Sequence, residues 1–132
     1  MPHSLDANRY LVSPCVERSD GAGPSIELGA LAGSRLRLTL GINHVLEQEG
    51  LTISIWGSKS GTDWGSAPLV TIPQKSYCGE YHAILNLANQ PTLRYVRAEW
   101  NLRRWGKRDA PRMVGFYVAL AEAASQVHAA VA

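Results

Sequence analysis

Apolar and polar residues alternate with a period of two along much of this chain, and this pattern constrains the fold more than any other feature. Residues 34–42 (SRLRLTLGI) place three leucines and an isoleucine on one side, with two arginines and a threonine on the other. Successive side chains of a strand point to opposite faces, so this spacing predicts a strand with one buried and one solvated face. The same alternation recurs in residues 51–57, 93–103 and 112–120.

Weaker strand candidates bring the predicted count to about eight: residues 9–16, 25–31, 68–73 and 80–87. Turn-forming stretches such as DGAG, EQEG and ANQP separate the candidates, and no helical block lies between them. Regular short strands with turns between them are typical of a sandwich or barrel, and eight strands suit a jelly roll. We therefore predict an all-β fold, a single antiparallel β-sandwich of jelly-roll type.

Length and composition agree with one domain. The chain has 132 residues, 45% of them hydrophobic, and a net charge of +2, which suits a single core and argues against disorder. We expect the sandwich to occupy residues 1–120, with residues 1–8 as an arm and an Ala-rich tail over residues 121–132. No apolar run approaches the roughly 20 residues of a membrane span, and no secretory signal is visible at the start. We expect a cytoplasmic protein or part of an assembled particle.

The two cysteines, Cys15 and Cys78, lie 63 positions apart without a C-x-x-C motif or a Cys/His cluster. A zinc site needs about four ligands at characteristic spacings, so no metal is expected. Apolar or aromatic neighbours predict that both cysteines are buried and reduced. A disulfide between them is the alternative.

Motifs for catalysis are missing from the sequence. GSKSG (residues 57–61) has Lys59 where a nucleophile elbow needs serine, and neither a phosphate-binding loop nor a dinucleotide fingerprint is present. Glu47 and Glu49 beside Gly50 are interpreted as a solvated turn, not an acid–base pair. We therefore expect no enzymatic activity and no cofactor, although an enzyme is kept as a minor alternative.

Aromatic and basic residues opposite the predicted core face, or in loops, are the candidate binding residues. Trp100 is not one of these candidates, because it shares its face with Val96 and Leu102 and is assigned to the core. The other candidates belong to residue types that are enriched at interface hot spots. They are Trp56, Trp64, Tyr95, Arg97, Arg103, Arg104, Trp105 and Tyr117.

Three kinds of partner fit these candidates. The first is protein, including copies of this chain, with the sheet faces and loops as contacts. The second is a carbohydrate stacked on Trp64 or Trp105. The third is nucleic acid, which the basic stretch around Arg103–Arg112 would serve, but a net charge of +2 makes this the weakest option. The predicted function is a structural or interaction protein of a larger assembly, such as a virion, tail, shell or filament.

Two stretches resemble known sandwich families. ISIWGSKSGTDWG (residues 53–65) is similar to the strand–turn–Trp element of discoidin-like jelly rolls, and PTLRYVRAEW (residues 91–100) to a later strand of the same architecture. Together with GFYV (residues 115–118), they also resemble small β-sandwich proteins of phage tails and virions. The resemblance spans about residues 50–120 and implies the jelly-roll fold, while this architecture hosts many functions.

Overall fold

The computed structural model describes residues 8–106 and 111–123, with side chains from Tyr10 onward. Within these residues the chain forms nine strands and one short 3-10 turn, Gly29–Leu31. The strands are β1 (Asn8–Glu17), β2 (Gly21–Ala22), β3 (Ile26–Glu27), β4 (Arg35–Val45), β5 (Glu49–Ser58), β6 (Val70–Lys75), β7 (Gly79–Asn86), β8 (Tyr95–Arg104) and β9 (Val114–Glu122).

The strands form two antiparallel sheets that pack face to face. The first sheet has the order β1-β9-β4-β7, and the second has β2 and β3 beside β8, followed by β5 and β6. If β2 and β3 count as one interrupted strand, the chain has eight strands, which pair from the outermost in sequence to the innermost. Strand β1 pairs with β9, β2 and β3 pair with β8, β4 pairs with β7, and β5 pairs with β6. This nested pairing is a jelly roll, so the predicted fold is confirmed.

The core between the sheets consists of the apolar residues that alternate in the sequence. Leu36, Leu38 and Leu40 on β4 are fully buried, as are Val114, Phe116, Val118 and Leu120 on β9. Trp100 is also in the core, as predicted, at 7% exposure. Its Nε1 donates a hydrogen bond to the Ser19 carbonyl at 3.1 Å, which satisfies the one polar group of the indole.

The predicted strand at residues 25–31 is wrong over most of its length. Strand β3 covers only Ile26–Glu27, and the 3-10 turn follows it. Leu28 and Leu31 are buried at a spacing of three, which suits a helical turn and not an extended strand. The two-residue strand β2 was not predicted, because so short a strand carries no alternation.

The last strand reaches further than the sequence pattern indicated. Ala121 and Glu122, the first two residues of the expected Ala-rich tail, belong to β9. The Ala123 amide then donates to the Arg35 carbonyl at 2.9 Å. Asn8, the last residue of the expected N-terminal arm, begins β1. The remainder of the arm and of the tail lies outside the described residues.

The strand order places the connections at two ends of the sandwich. The connections that follow β1, β4, β6 and β8 lie at one end, which we call the Trp105 end. Those that follow β3, β5 and β7 lie at the opposite end. In the part of the chain that the structure describes, no helix has the length and apolarity to span a bilayer.

The cysteines differ in environment. Both are free, so the disulfide alternative is wrong. Cys15 on β1 is half-buried, and this burial, with the nearby Glu17 carboxylate, raises the pKa of its thiol. Cys78 is exposed, contrary to the prediction, because it lies in the short connection between β6 and β7.

Candidate interaction surfaces

The eight candidate binding residues divide among three parts of the sandwich. Four of them share the outer face of the β5 and β8 sheet or the loop beside it, and we call these four the aromatic–arginine cluster: Trp56, Trp64, Tyr95 and Arg97. The remaining four lie on β9 (Tyr117) and at the end of β8 (Arg103, Arg104 and Trp105).

Arg97 is the centre of the aromatic–arginine cluster. Its Cζ lies 4.6 Å from the ring centroid of Trp64, which is the geometry of a cation–π contact. Its Nη2 lies 3.3 Å from the Glu99 carboxylate on the same face of β8. The Arg97 side chain is 31% exposed, so its charge remains partly accessible while both neighbours hold its orientation.

Trp56 and Tyr95 flank this centre. Trp56 is the direct cross-strand partner of Arg97, and Tyr95 lies two residues before Arg97 on the same face of β8. Trp56, Tyr95 and Trp64 are each half-buried. The Nε1 of Trp56 and the Nε of Arg97 are buried with no hydrogen-bond acceptor among the described residues. Two adjacent unpaired donors are an unfavourable feature of this surface in the single subunit.

The loop after β5 positions Trp64 over the sheet. The Ser58 hydroxyl accepts a hydrogen bond from the Gly61 amide at 2.7 Å, and the Asp63 carboxylate accepts one from the Gly65 amide at 3.0 Å. Gly61 and Gly65 have φ values of +89° and +74°, which favour glycine. These turns return the chain so that the indole of Trp64 lies on Arg97 of β8.

Tyr117 is separated from the cluster by the thickness of the sandwich, since β9 belongs to the other sheet. Its hydroxyl donates to the Glu80 carboxylate at 2.9 Å, and this hydrogen bond raises the pKa of the phenol. The ring crosses β4 at Gly41, where a Cβ would collide with it. Tyr10 contacts the same ring edge-on, with centroids 5.8 Å apart. Tyr117 is therefore engaged within the subunit.

The basic residues at the end of β8 have different roles. Arg103 is exposed, as expected of a docking residue. Arg104 is half-buried, and its guanidinium donates to the carbonyls of Pro111 at 2.6 Å and Glu47 at 3.3 Å. Arg104 thus fastens two loops together, and its role as a binding residue stays a prediction. Lys107 and Arg108 of the same basic stretch lie outside the described residues.

Trp105 lines a cleft at the Trp105 end of the sandwich. The cleft has a volume of about 730 Å³ and lies among the loops of residues 46–48 and 76–78. Tyr77, 78% exposed, and Trp105, 37% exposed, both face it. The Trp105 amide donates to the Gln48 carbonyl at 2.8 Å, which holds the tryptophan against the neighbouring loop. We call this feature the loop-end cleft.

Glu49 holds the loops at this end together, and sequence reasoning missed it. The side chain is fully buried, so the prediction of a solvated turn is wrong for this residue. Its carboxylate accepts hydrogen bonds from the Leu46 amide at 2.9 Å and from the Met113 amide at 2.8 Å. A carboxylate that accepts hydrogen bonds from two backbone amides can be buried, because these bonds compensate for the loss of hydration.

Titratable groups do not assemble into a metal site in the described part of the chain. Across residues 8–106 and 111–123, no three His, Cys, Asp or Glu side chains lie close enough to hold a cation. His82, a scattered histidine in the sequence, is exposed on β7, and its Nδ1 lies 3.1 Å from the Thr39 hydroxyl.

Comparison with known proteins gives similarity in structure only. No family model matches the sequence, and no curated protein matches it. The chain is similar to a chain in the structure of infectious bursal disease virus strain Gx, with 12% identity and a TM-score of 0.54, over 86% of this chain and 31% of that one. A chain of the Gt strain gives 13% identity and a TM-score of 0.53, over 86% and 30%.

A third similar chain comes from the crystal structure of the T13 particle of the same virus. It has 12% identity and a TM-score of 0.54, over 86% of this chain and 29% of that one. The present chain thus spans about 30% of the length of these viral chains. Identity this low shows a shared fold alone. The virion-type part of the resemblance is confirmed at that level, and the discoidin-like part stays a prediction.

Proposed function

We propose that this protein is a non-catalytic structural subunit that associates with copies of itself in a larger assembly, such as a virion, tail, shell or filament. The observation that carries this proposal is the contact of Arg97 with Trp64 on an outer sheet face that also presents Trp56 and Tyr95. Four residues of the types that dominate interface energies come together on one surface.

The aromatic–arginine cluster is ordered before any partner arrives. Trp64 and Glu99 hold the Arg97 guanidinium from two directions, and the hydrogen-bonded turns after β5 hold Trp64. Side chains that are already ordered lose little conformational entropy on association.

Charge complementarity favours a second copy as the partner. Arg97 and Glu99 are adjacent outward residues of β8, with opposite charges. In a two-fold contact, each surface meets an identical one, so Arg97 of one copy can lie against Glu99 of the other in both directions. A surface that carries both charges side by side is therefore complementary to itself.

The jelly-roll topology supports an assembly as the setting. The similar chains of known structure belong to infectious bursal disease virus, one of them in a T13 viral particle. At 12–13% identity this likeness concerns the fold, and the surface chemistry above provides the independent argument for association.

Size-exclusion chromatography with light scattering, over a range of concentrations, tests the proposal. We expect a mass above that of one subunit, which increases with concentration, and a shift toward the monomer in Trp64→Ala. Trp105→Ala is the matched control, since it removes a loop tryptophan at the opposite end of the sandwich and should leave the mass unchanged. A strict monomer at all concentrations, or equal effects of both variants, would contradict the proposal.

A further inference from the structure

The loop-end cleft exposes two aromatic rings to solvent, Tyr77 almost fully and Trp105 in part. Tyr77 is 78% exposed and Trp105 is 37% exposed, and both residues line the cleft. Trp105 differs in this from Trp64, whose ring already lies on Arg97. Exposed aromatic rings within a concave site are typical of ligand recognition.

Polar groups border these rings. The lining of the cleft includes three residues with polar side chains, Ser76, Gln48 and Glu47. Among the described lining residues Glu47 carries the one formal charge, which is negative. This set suits a ligand with many hydroxyl groups, since hydroxyls donate to a carboxylate and exchange both kinds of hydrogen bond with an amide.

Hydrogen bonds within the subunit hold the loops that line the cleft. The Tyr81 hydroxyl donates to the Tyr77 carbonyl at 2.6 Å and fixes the loop that carries Tyr77. The Trp105 amide donates to the Gln48 carbonyl, and the buried Glu49 carboxylate binds the Leu46 amide below. Loops held in this way need little ordering on binding, so weak individual contacts suffice.

From these three observations we infer that the loop-end cleft binds a neutral carbohydrate. One sugar ring stacks its C–H face on the indole of Trp105, Tyr77 contacts the same or the next ring, and Glu47, Gln48 and Ser76 bind the hydroxyls. The volume of about 730 Å³ lies within the usual range of small-molecule sites. This site is separate from the surface proposed for self-association and lies at another part of the sandwich.

Two alternative sites are less suited to the same ligand. A cleft of about 500 Å³ at the opposite end contains Trp64, but Arg97 already occupies a face of that ring. A second cleft of about 500 Å³ is lined by Lys59 and Arg94 and offers no aromatic ring. Of these three clefts, the loop-end cleft is the one that combines an aromatic ring available for stacking with polar groups suited to a neutral ligand.

The test titrates the protein with a panel of neutral oligosaccharides (maltohexaose, cellohexaose, xylohexaose, mannohexaose and chitohexaose) and with a single-stranded oligonucleotide. Tryptophan fluorescence and the indole N–H signals in NMR report binding. We expect at least one sugar to bind more tightly than about 1 mM and to shift the Trp105 signal. Trp105→Ala should weaken it roughly tenfold or more, whereas the control Trp64→Ala should retain it.

Alkylation of Cys78 gives a second readout, because this exposed thiol lines the cleft and Cys15 does not. The bound sugar should slow alkylation of Cys78 and leave Cys15 unchanged. The inference is overturned if no sugar of the panel binds by about 1 mM, if binding survives Trp105→Ala, or if the oligonucleotide is the ligand that shifts Trp105. Because Trp64 and Trp105 lie at different ends of the sandwich, a negative result for sugar binding does not affect the test of self-association.

Discussion

The indole of Trp64 lies over the guanidinium of Arg97, with the Arg97 Cζ 4.6 Å from the ring centroid. This contact connects the loop after β5 to the outer face of β8, and Glu99 holds the same guanidinium at 3.3 Å. An arginine placed between an aromatic ring and a carboxylate keeps one orientation. The surface that we propose for association is thus formed by contacts within the subunit.

Arg97→Ala should lower the free energy of unfolding by about 1 kcal/mol, because it removes a cation–π contact and a partly exposed ion pair. Chemical denaturation measures this loss. Arg103→Ala is the matched control on the same face of β8, and its exposed side chain should contribute less than about 0.5 kcal/mol. Equal losses in the two variants would show that Trp64 does not stabilise Arg97.

Glu49→Ala should lower the free energy of unfolding by roughly 3 kcal/mol, since it leaves the Leu46 and Met113 amides without their charged acceptor. Glu49→Gln should lose less, because its amide oxygen can still accept one of the two hydrogen bonds. Glu47→Ala is the control, an exposed acid two positions away with little expected effect. Urea denaturation compares the three, and a larger loss in Glu47→Ala would refute this role of Glu49.

The Tyr117–Glu80 hydrogen bond predicts a decline in stability at high pH. Donation to the Glu80 carboxylate raises the pKa of Tyr117 in the folded protein above its ordinary value of 10.0. A raised pKa means that the folded state holds the proton more tightly, so the contribution of this bond is complete below pH 10 and is lost as the pH rises above that value.

Titration of the tyrosine ζ-carbon by NMR should therefore give a lower pKa for Tyr117 in Glu80→Gln than in the unmodified protein. The other tyrosines provide the internal control within each spectrum. If Tyr117 titrates at the same pH in both proteins, the hydrogen bond does not form in solution.

Much of the fold is predictable from local patterns. The leucines of β4 and the alternating residues of β9 are all buried because a strand with one wet face must alternate. The same rule predicts that Trp56, Tyr95 and Arg97 lie on outer faces, away from the core. The short strand β2 and the turn after β3 were not predictable in this way, because two or three residues cannot show a period.

The remaining errors concern residues whose environment depends on distant parts of the chain. Glu49 beside Gly50 has the composition of a solvated turn, yet Met113, 64 positions later, donates a hydrogen bond to it. Arg103 and Arg104 are neighbours of the same type, and the carbonyls of Glu47, 57 positions earlier, and of Pro111 are what engage Arg104.

A charge-exchange experiment tests self-association through the aromatic–arginine cluster most directly. Arg97→Glu and Glu99→Arg should each form only monomers, because a two-fold contact then brings like charges together. An equimolar mixture should associate again, since the acidic surface of the first variant would meet the basic surface of the second. Sedimentation velocity measures the separate and mixed variants, and circular dichroism verifies that each is folded. Variants that are monomeric alone and associate when mixed support the proposed two-fold contact. A mixture that stays monomeric, or single variants that still associate, would contradict it.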